Sequence, residues 1–181
     1  MALPRSYEYK SVLSDNFTIQ QFNILADGLA QGGGFNLVED PADLELSFRF
    51  PLMRQEVLNA NPDILTIQEL NCAHLFGEIL PDHTMILCPK LKSPACRFGA
   101  LPDGLGMFVN RNMFDILDVN VFYYNAGTTG VNSGAIIACL VDKRNGTGLV
   151  VATTHLKSKV PFESKRVTQM SELLHKIQGI N

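Results

Sequence analysis

The chain contains no tryptophan and only four tyrosines, so it has few platforms on which the bases of a nucleic-acid strand could stack. Basic residues are not in excess either. Fifteen Lys and Arg stand against eighteen Asp and Glu, a formal net charge of −3. That balance excludes a global electrostatic attraction for nucleic acid, and any phosphate-bearing partner must be met by a local basic cluster or a metal ion. Cys72, Cys88, Cys96 and Cys139 are scattered, with no Cys-x-x-Cys pair, which favours reduced, packed thiols over a zinc site. Gly32-Gly33-Gly34 is not followed by Gly-Lys-Ser/Thr, so no phosphate-cradling P-loop is encoded there. No apolar run exceeds Ala135–Val141 by much, far short of a membrane span. Met1 to Glu8 shows neither a signal-peptide core nor an Arg-rich transit pattern. Cytoplasm is therefore the default compartment, with nucleus and mitochondrion left open.

What is present describes a packed domain. The 181 residues are 46% hydrophobic with a mean hydropathy of +0.08, enough for one core. Residues 17–23 alternate apolar and polar as a half-buried strand does. A Gly-rich, acidic connection to about Ser47 reads as a mobile loop. Pro51 suits the first turn of a helix, with Met53, Val57 and Ala60 as its apolar stripe. Asn61-Pro62-Asp63 ends that helix, because proline disfavours helical geometry in the residue before it. Ile64-Leu65-Thr66-Ile67 reads as a strand buried on both faces. Further strands are expected over 84–88, 106–109, 116–124, 135–141 and 149–153. A closing helix over 161–178 would place Val167, Met170, Leu174 and Ile177 on one face. Strand, helix, several strands and helix together predict an α/β sandwich with a mixed sheet.

Three strands end in residues capable of chemistry: Asn23, then Gln68 and Glu69, then Thr154, His155 and Lys157. Ligands of α/β sheets bind at such carboxyl ends. A carboxylate emerging from a buried strand, as Glu69 does, needs a cation, a metal or several donors. Asn23 can orient Glu69, touch a phosphate or satisfy a turn. His155 can move a proton, hold a phosphoryl oxygen or serve as a hydrogen-bonded structural residue. Lys157, Lys159, Lys165 and Arg166 form the densest positive cluster, directly after His155, and point to phosphate binding. Lys90, Lys92 and Arg97 make a looser basic segment around Ser93-Pro94. Asp103-Gly104 reads first as a turn, with Asp103 also placed to face the site.

Taken in order, these segments resemble one superfamily. Asn23-Ile24-Leu25-Ala26, Pro62-Asp63-Ile64-Leu65 with Gln68-Glu69, Asp103-Gly104 and Thr154-His155-Leu156-Lys157 resemble the ordered motifs of the endonuclease/exonuclease/phosphatase superfamily, in its deadenylase-type branch. Pro89-Lys90, Ser93-Pro94 with Cys96, and Pro102-Asp103-Gly104 are similar to the nocturnin-like subfamily within it. Leu46, where the family usually has Trp, and Pro51 depart from the pattern. The resemblance implies a four-layer, DNase I-like α/β sandwich. Residues 1–15 would be an extension and 16–181 the N-terminal portion of the domain, roughly its first sheet with its helices. The family's later Asp-x-Asn and Asp-His segments would fall beyond Asn181.

The same resemblance implies a magnesium-dependent phosphoesterase, with manganese as a substitute ion. Glu69 would be the metal ligand with Asn23 beside it, and His155, Glu69 and Asn23 the catalytic set. Lys157, Lys159, Asp103 and Arg166 would bind substrate phosphate. The substrate implied first is NADP(H), losing its 2′-phosphate; the alternative is poly(A) RNA degraded from its 3′ end. A third reading is a non-catalytic half-domain. Its second sheet would be largely missing, and it would self-associate through an exposed sheet face.

Overall fold

The computed structural model of the protein describes residues 16–32, 34–35, 37–124 and 132–180; the expected extension, residues 1–15, lies outside them. β1 (Ile19–Asn23) is followed by a short helix α1 (Asp27–Ala30) and by α2 (Leu46–Ala60). The chain continues through β2 (Ile64–Leu70), α3 (Ala73–Ile79), β3 (His83–Pro89) and β4 (Gly104–Asn110). The remaining elements are β5 (Phe114–Tyr123), β6 (Gly134–Asp142), β7 (Gly148–Thr154) and α4 (Glu163–Gln178).

Two sheets result. β1, β2, β4 and β3 lie side by side in that order, with β1 parallel to β2 and the other pairs antiparallel. β5, β6 and β7 form a three-stranded antiparallel sheet. The parallel β1–β2 pair needs a crossover, and α2 supplies it. Leu65 and Ile67 on β2 pack with Met53 and Val57 of α2 and Phe76 of α3. The opposite face, carrying Ile64, Met107 and Val109, packs against Ile136, Ala138 and Leu140 of β6. α4 covers the outer face of the second sheet through Leu173, against Ala135 and Ile137. The layers are thus helix, sheet, sheet, helix, the mixed α/β sandwich anticipated from the sequence. The second sheet is represented by three strands, and they cover the inner face of the first. What stays open is the flank between β1 and β7, a cleft of about 790 Å³ lined by residues including Ile19, Gln21 and Val151.

Several local expectations change. α2 starts at Leu46, so Pro51 lies inside the helix rather than in its first turn; burial of Met53 and Val57 outweighs the one backbone hydrogen bond that proline forgoes. Asn61 ends the helix in the left-handed conformation, with φ of 42°. The segment before it, expected to be a mobile loop, contains α1 and a 3₁₀ turn over Pro41–Leu44. In α4 the buried positions are Gln169 and Leu173. Of the expected face, Ile177 packs against the core, but Val167, Met170 and Leu174 are exposed at 61%, 37% and 51%, so the helix is rotated from that face. The rotation turns Gln169 toward the loop after β7, where it accepts a backbone hydrogen bond from Lys157.

Gly104 sits opposite Pro89 in the β3–β4 pair. A β-carbon there would lie 2.3 Å from the carbonyl oxygen of Cys88 and 2.5 Å from Cα of Pro89, so only glycine fits. Gly104→Ala should destabilise the protein by about 2 kcal/mol or more, read from urea unfolding, with the loss centred on this hairpin in amide exchange.

Candidate active site

β2 ends in an irregularity between Gln68 and Leu70 where it pairs with β4, and Glu69 occupies it with φ of 58°. That is an unfavourable conformation for a non-glycine residue, retained only where neighbours enforce it. Here it swings the carboxylate out of the ladder. Glu69 Oε1 accepts from Nδ2 of Asn23 at 3.1 Å, and Oε2 accepts from the backbone N–H of Ala26 at 3.4 Å. The turn bearing Asn23 and Ala26 is held from behind by Arg49 of α2. Its guanidinium donates to the carbonyls of Ile24 and Leu25 at 2.8 and 2.9 Å, and to that of Leu44 at 2.8 Å. Burial lowers the Arg49 pKa, partly offset by Asp27.

The second sheet delivers His155, immediately after β7. Its Nε2 lies 4.0 Å from Glu69 Oε1. Burial is the main cause of a lowered His155 pKa; Glu69 opposes the shift and Lys90 adds to it. The ring is therefore mostly neutral at pH 7. The two sheets are tied just before these residues, where Gln68 Nε2 donates to Oγ1 of Thr153 at 3.1 Å and Gln21 donates to Gln68 Oε1. Gln68, placed among the strand-end candidates, is thus a buried link between sheets.

Glu69 and His155 open into a cavity of about 290 Å³, walled also by Lys90, Tyr124, Lys157, Lys165 and Gln169. Lys90 enters from the end of β3, pinned by Asp103. Asp103 is fully buried and takes the Lys90 ammonium on one carboxylate oxygen and the Ser93 hydroxyl on the other. The structure places it behind the cavity wall rather than in it. Arg166 likewise turns away from the cavity: its Nη1 donates to the carbonyls of Lys157 and Lys159 at 3.1 and 2.7 Å. Lys159 is exposed, with φ of 76°, and is not a cavity wall. Asn23 touches the site through Glu69. Of the seven residues singled out from sequence, Glu69, His155 and Lys157 line the cavity.

Lys90, read from sequence in a loose basic segment and in the Pro89-Lys90 motif, joins them. Arg49 and Gln169 gave no sequence signal of their own, since a polar residue on a helix is ordinarily solvated. Among the described residues, no group of three or more His, Cys, Asp or Glu side chains is gathered around a metal position. Among the described residues, Glu69 is the one carboxylate lining the cavity. One carboxylate beside an amide fits a hard divalent ion that keeps most of its waters and takes its other oxygens from a phosphate.

Comparison with known proteins agrees with this geometry. No family model matches the chain. Nocturnin from Mus musculus is 32% identical over 170 residues, which cover 90% of this chain and 39% of that protein. The CCR4-Not complex 3′-5′-exoribonuclease subunit Ccr4 from Candida albicans is 25% identical over 197 residues, covering 96% of this chain and 25% of that protein. The human nocturnin catalytic domain, solved with bound sulfate, superposes with a TM-score of 0.76 at 29% identity, covering 91% of this chain and 58% of that one. These similarities of sequence and fold lie in the endonuclease/exonuclease/phosphatase superfamily. Within it, the chain is nocturnin-like, in the deadenylase-type branch, and it spans about two fifths of the length of its mammalian relatives.

The buried Asp103–Lys90 pair gives a direct test. Asp103→Ala leaves Ser93 without its acceptor and frees the Lys90 ammonium, and should cost about 3 kcal/mol of stability, measured by urea unfolding. Ser93→Ala, which removes the hydroxyl donor to the same carboxylate and the acceptor of the Ala95 and Asp103 N–H groups but leaves the Lys90 pair in place, should cost about 2 kcal/mol.

Proposed function

We propose that the whole protein is a magnesium-dependent phosphoesterase that removes the 2′-phosphate of NADP(H). The observation that supports this reading best is the cavity itself. A lone carboxylate, Glu69, stands 4.0 Å from His155 Nε2 in a space also walled by the ammonium groups of Lys90 and Lys157. One acidic group among cations suits a phosphate ester better than any cationic or neutral substrate. Manganese would substitute for magnesium, both being hard and oxygen-seeking.

When bound, the divalent ion supplies charge stabilisation at the phosphoryl oxygens and a template for orientation. Glu69 would hold it, kept in place by Asn23. Lys90 and Lys157 would bind the remaining phosphoryl oxygens, with the Lys90 ammonium held by Asp103 and the Lys157 backbone by Gln169. His155, neutral at pH 7, would donate a ring N–H to a phosphoryl oxygen as negative charge gathers there. Hydrolysis breaks the bond between phosphorus and the ribose 2′ oxygen, adds water across it, and releases NAD(H) and inorganic phosphate. A cytoplasmic setting, where NADP(H) is plentiful and thiols stay reduced, accords with the free cysteines.

Similarity to the Candida albicans Ccr4 subunit, named as a 3′-5′-exoribonuclease, supports the rival substrate, poly(A) RNA. The cavity favours the smaller one. At about 290 Å³ it stands at the low end of ligand pockets, and Tyr124 is the sole aromatic among its described walls.

Full-length protein incubated with magnesium should release inorganic phosphate from NADP(H), chelator should abolish the release, and Glu69→Ala should lower it by about a thousandfold. Undiminished release by Glu69→Ala would remove Glu69 from the metal site. AMP from poly(A) with no phosphate from NADP(H) would transfer the assignment to a deadenylase.

A further inference from the structure

β1 and β2 run parallel with Asn23 opposite Gln68, and just past that pair each chain segment passes through a left-handed residue. Leu25 has φ of 55° and Glu69 φ of 58°. Leucine has no polar side-chain atom to support that conformation locally, so its surroundings must enforce it. For Leu25 the enforcing group is the Arg49 guanidinium. Its Nη1 takes the carbonyls of Ile24 and Leu25 together, at 2.8 and 2.9 Å. Successive carbonyls of an extended chain point opposite ways, so one nitrogen can take both only where the chain leaves that conformation, as it does at Leu25. Arg49 is also anchored away from this turn, by the Leu44 carbonyl at 2.8 Å and by Asp27 at 3.8 Å.

The turn in its turn fixes the carboxamide of Asn23. Oδ1 of Asn23 accepts the Leu25 N–H at 3.1 Å, and a backbone N–H can be met only by the oxygen end of an amide. The nitrogen end therefore faces Glu69, where Nδ2 donates to Oε1 at 3.1 Å. Ala26 gives its N–H to Oε2 at 3.4 Å. Each carboxylate oxygen of Glu69 is thus met by a donor from the same turn, and the plane of the carboxylate follows that turn. A rotation at Leu25 would carry the Ala26 N–H away from Glu69 and break the pair of carbonyl contacts with Arg49.

We propose that Leu25 and Arg49 are positioning residues for the Glu69 carboxylate: Arg49 holds Leu25 left-handed, and the resulting turn presents Asn23 to Glu69 as a hydrogen-bond donor rather than to an ion as an oxygen ligand. The inference rests on the assignment of Glu69 as the group that holds a divalent ion, and it deepens that assignment. Asn23, with its amide oxygen turned to the Leu25 N–H, acts on the ion through Glu69. Partners that orient a metal ligand from behind change metal affinity by about ten- to a hundredfold when removed.

Calorimetric titration of the full-length protein with manganese ion alone tests the role. Leu25→Val keeps an apolar side chain but strongly disfavours the left-handed backbone, and should weaken manganese binding about tenfold. Leu25→Gly removes the side chain but adopts that backbone freely, and should stay within about twofold of the wild type. Leu25 is half-buried, and a residue that served only by packing would give the reverse order. Arg49→Lys keeps the charge but lacks the planar fork that spans the three carbonyls; it should also lose about tenfold, and adding Leu25→Gly to it should recover most of that loss. No recovery in the double variant overturns the action of Arg49 through Leu25. Undiminished binding by Leu25→Val, or the reverse order, overturns the positioning role, and loss of binding in Glu69→Ala then leaves Glu69 as the holder of the ion. Binding that survives Glu69→Ala, or that is absent from the wild type, overturns both.

Discussion

Asp103 is the residue on which the site's positive wall depends. A fully buried carboxylate is costly to desolvate unless it is paired and hydrogen-bonded, and here it has both kinds of partner, Lys90 and Ser93. The arrangement ties the end of β3 to the start of β4 and fixes the direction in which Lys90 leaves the sheet. A free lysine on a surface loop contributes little to recognition, because ordering it opposes binding. A lysine already ordered by a buried anion does not carry that cost.

The same logic of prior ordering runs through the cavity. Glu69 is held out of its strand by a left-handed backbone and by donors from Asn23 and Ala26. Arg49 braces that turn from the helix layer. Across the cavity, Gln169 and Arg166 of α4 do for the Lys157 loop what Arg49 does for the Asn23 turn. The loops after β1 and β7 are thus each secured by polar side chains from the helix covering their own sheet. Solvent-exposed loops rarely hold charged groups this firmly without such braces.

The strands were legible because period-two and all-apolar patterns report burial directly: Ile64–Ile67 and Ala135–Val141 emerged as strands near their observed limits. Glu69, His155 and Lys157 were legible because each follows such a run. Asp103 was visible as a residue but not in its placement, since Asp-Gly is a turn signal whether the carboxylate faces water or a buried lysine. Arg166 belongs to a basic cluster in sequence, and nothing local reveals that its donors go to backbone carbonyls. The facing of α4 was misjudged for a related reason. Val167, Met170 and Leu174 have the right spacing for a core stripe, but the buried polar contact of Gln169 with the Lys157 backbone turns the helix away from them. Partners distant in sequence decide such cases, and helical spacing carries no record of them.

The hydrogen bond from Gln68 to Thr153 also acts as a gauge. Glu69 lies one residue beyond one end of it and His155 two residues beyond the other, on sheets joined across this face chiefly by apolar contacts, which resist separation far better than sliding, and by one further bond, from the Tyr123 hydroxyl to the Pro89 carbonyl. A slip of one residue along a strand is about 3.3 Å, nearly the whole distance between the carboxylate and the imidazole. The two halves of the chemistry come from separate sheets, so their alignment is a property of how those sheets are indexed to one another, and a buried glutamine at the sheet interface sets that index.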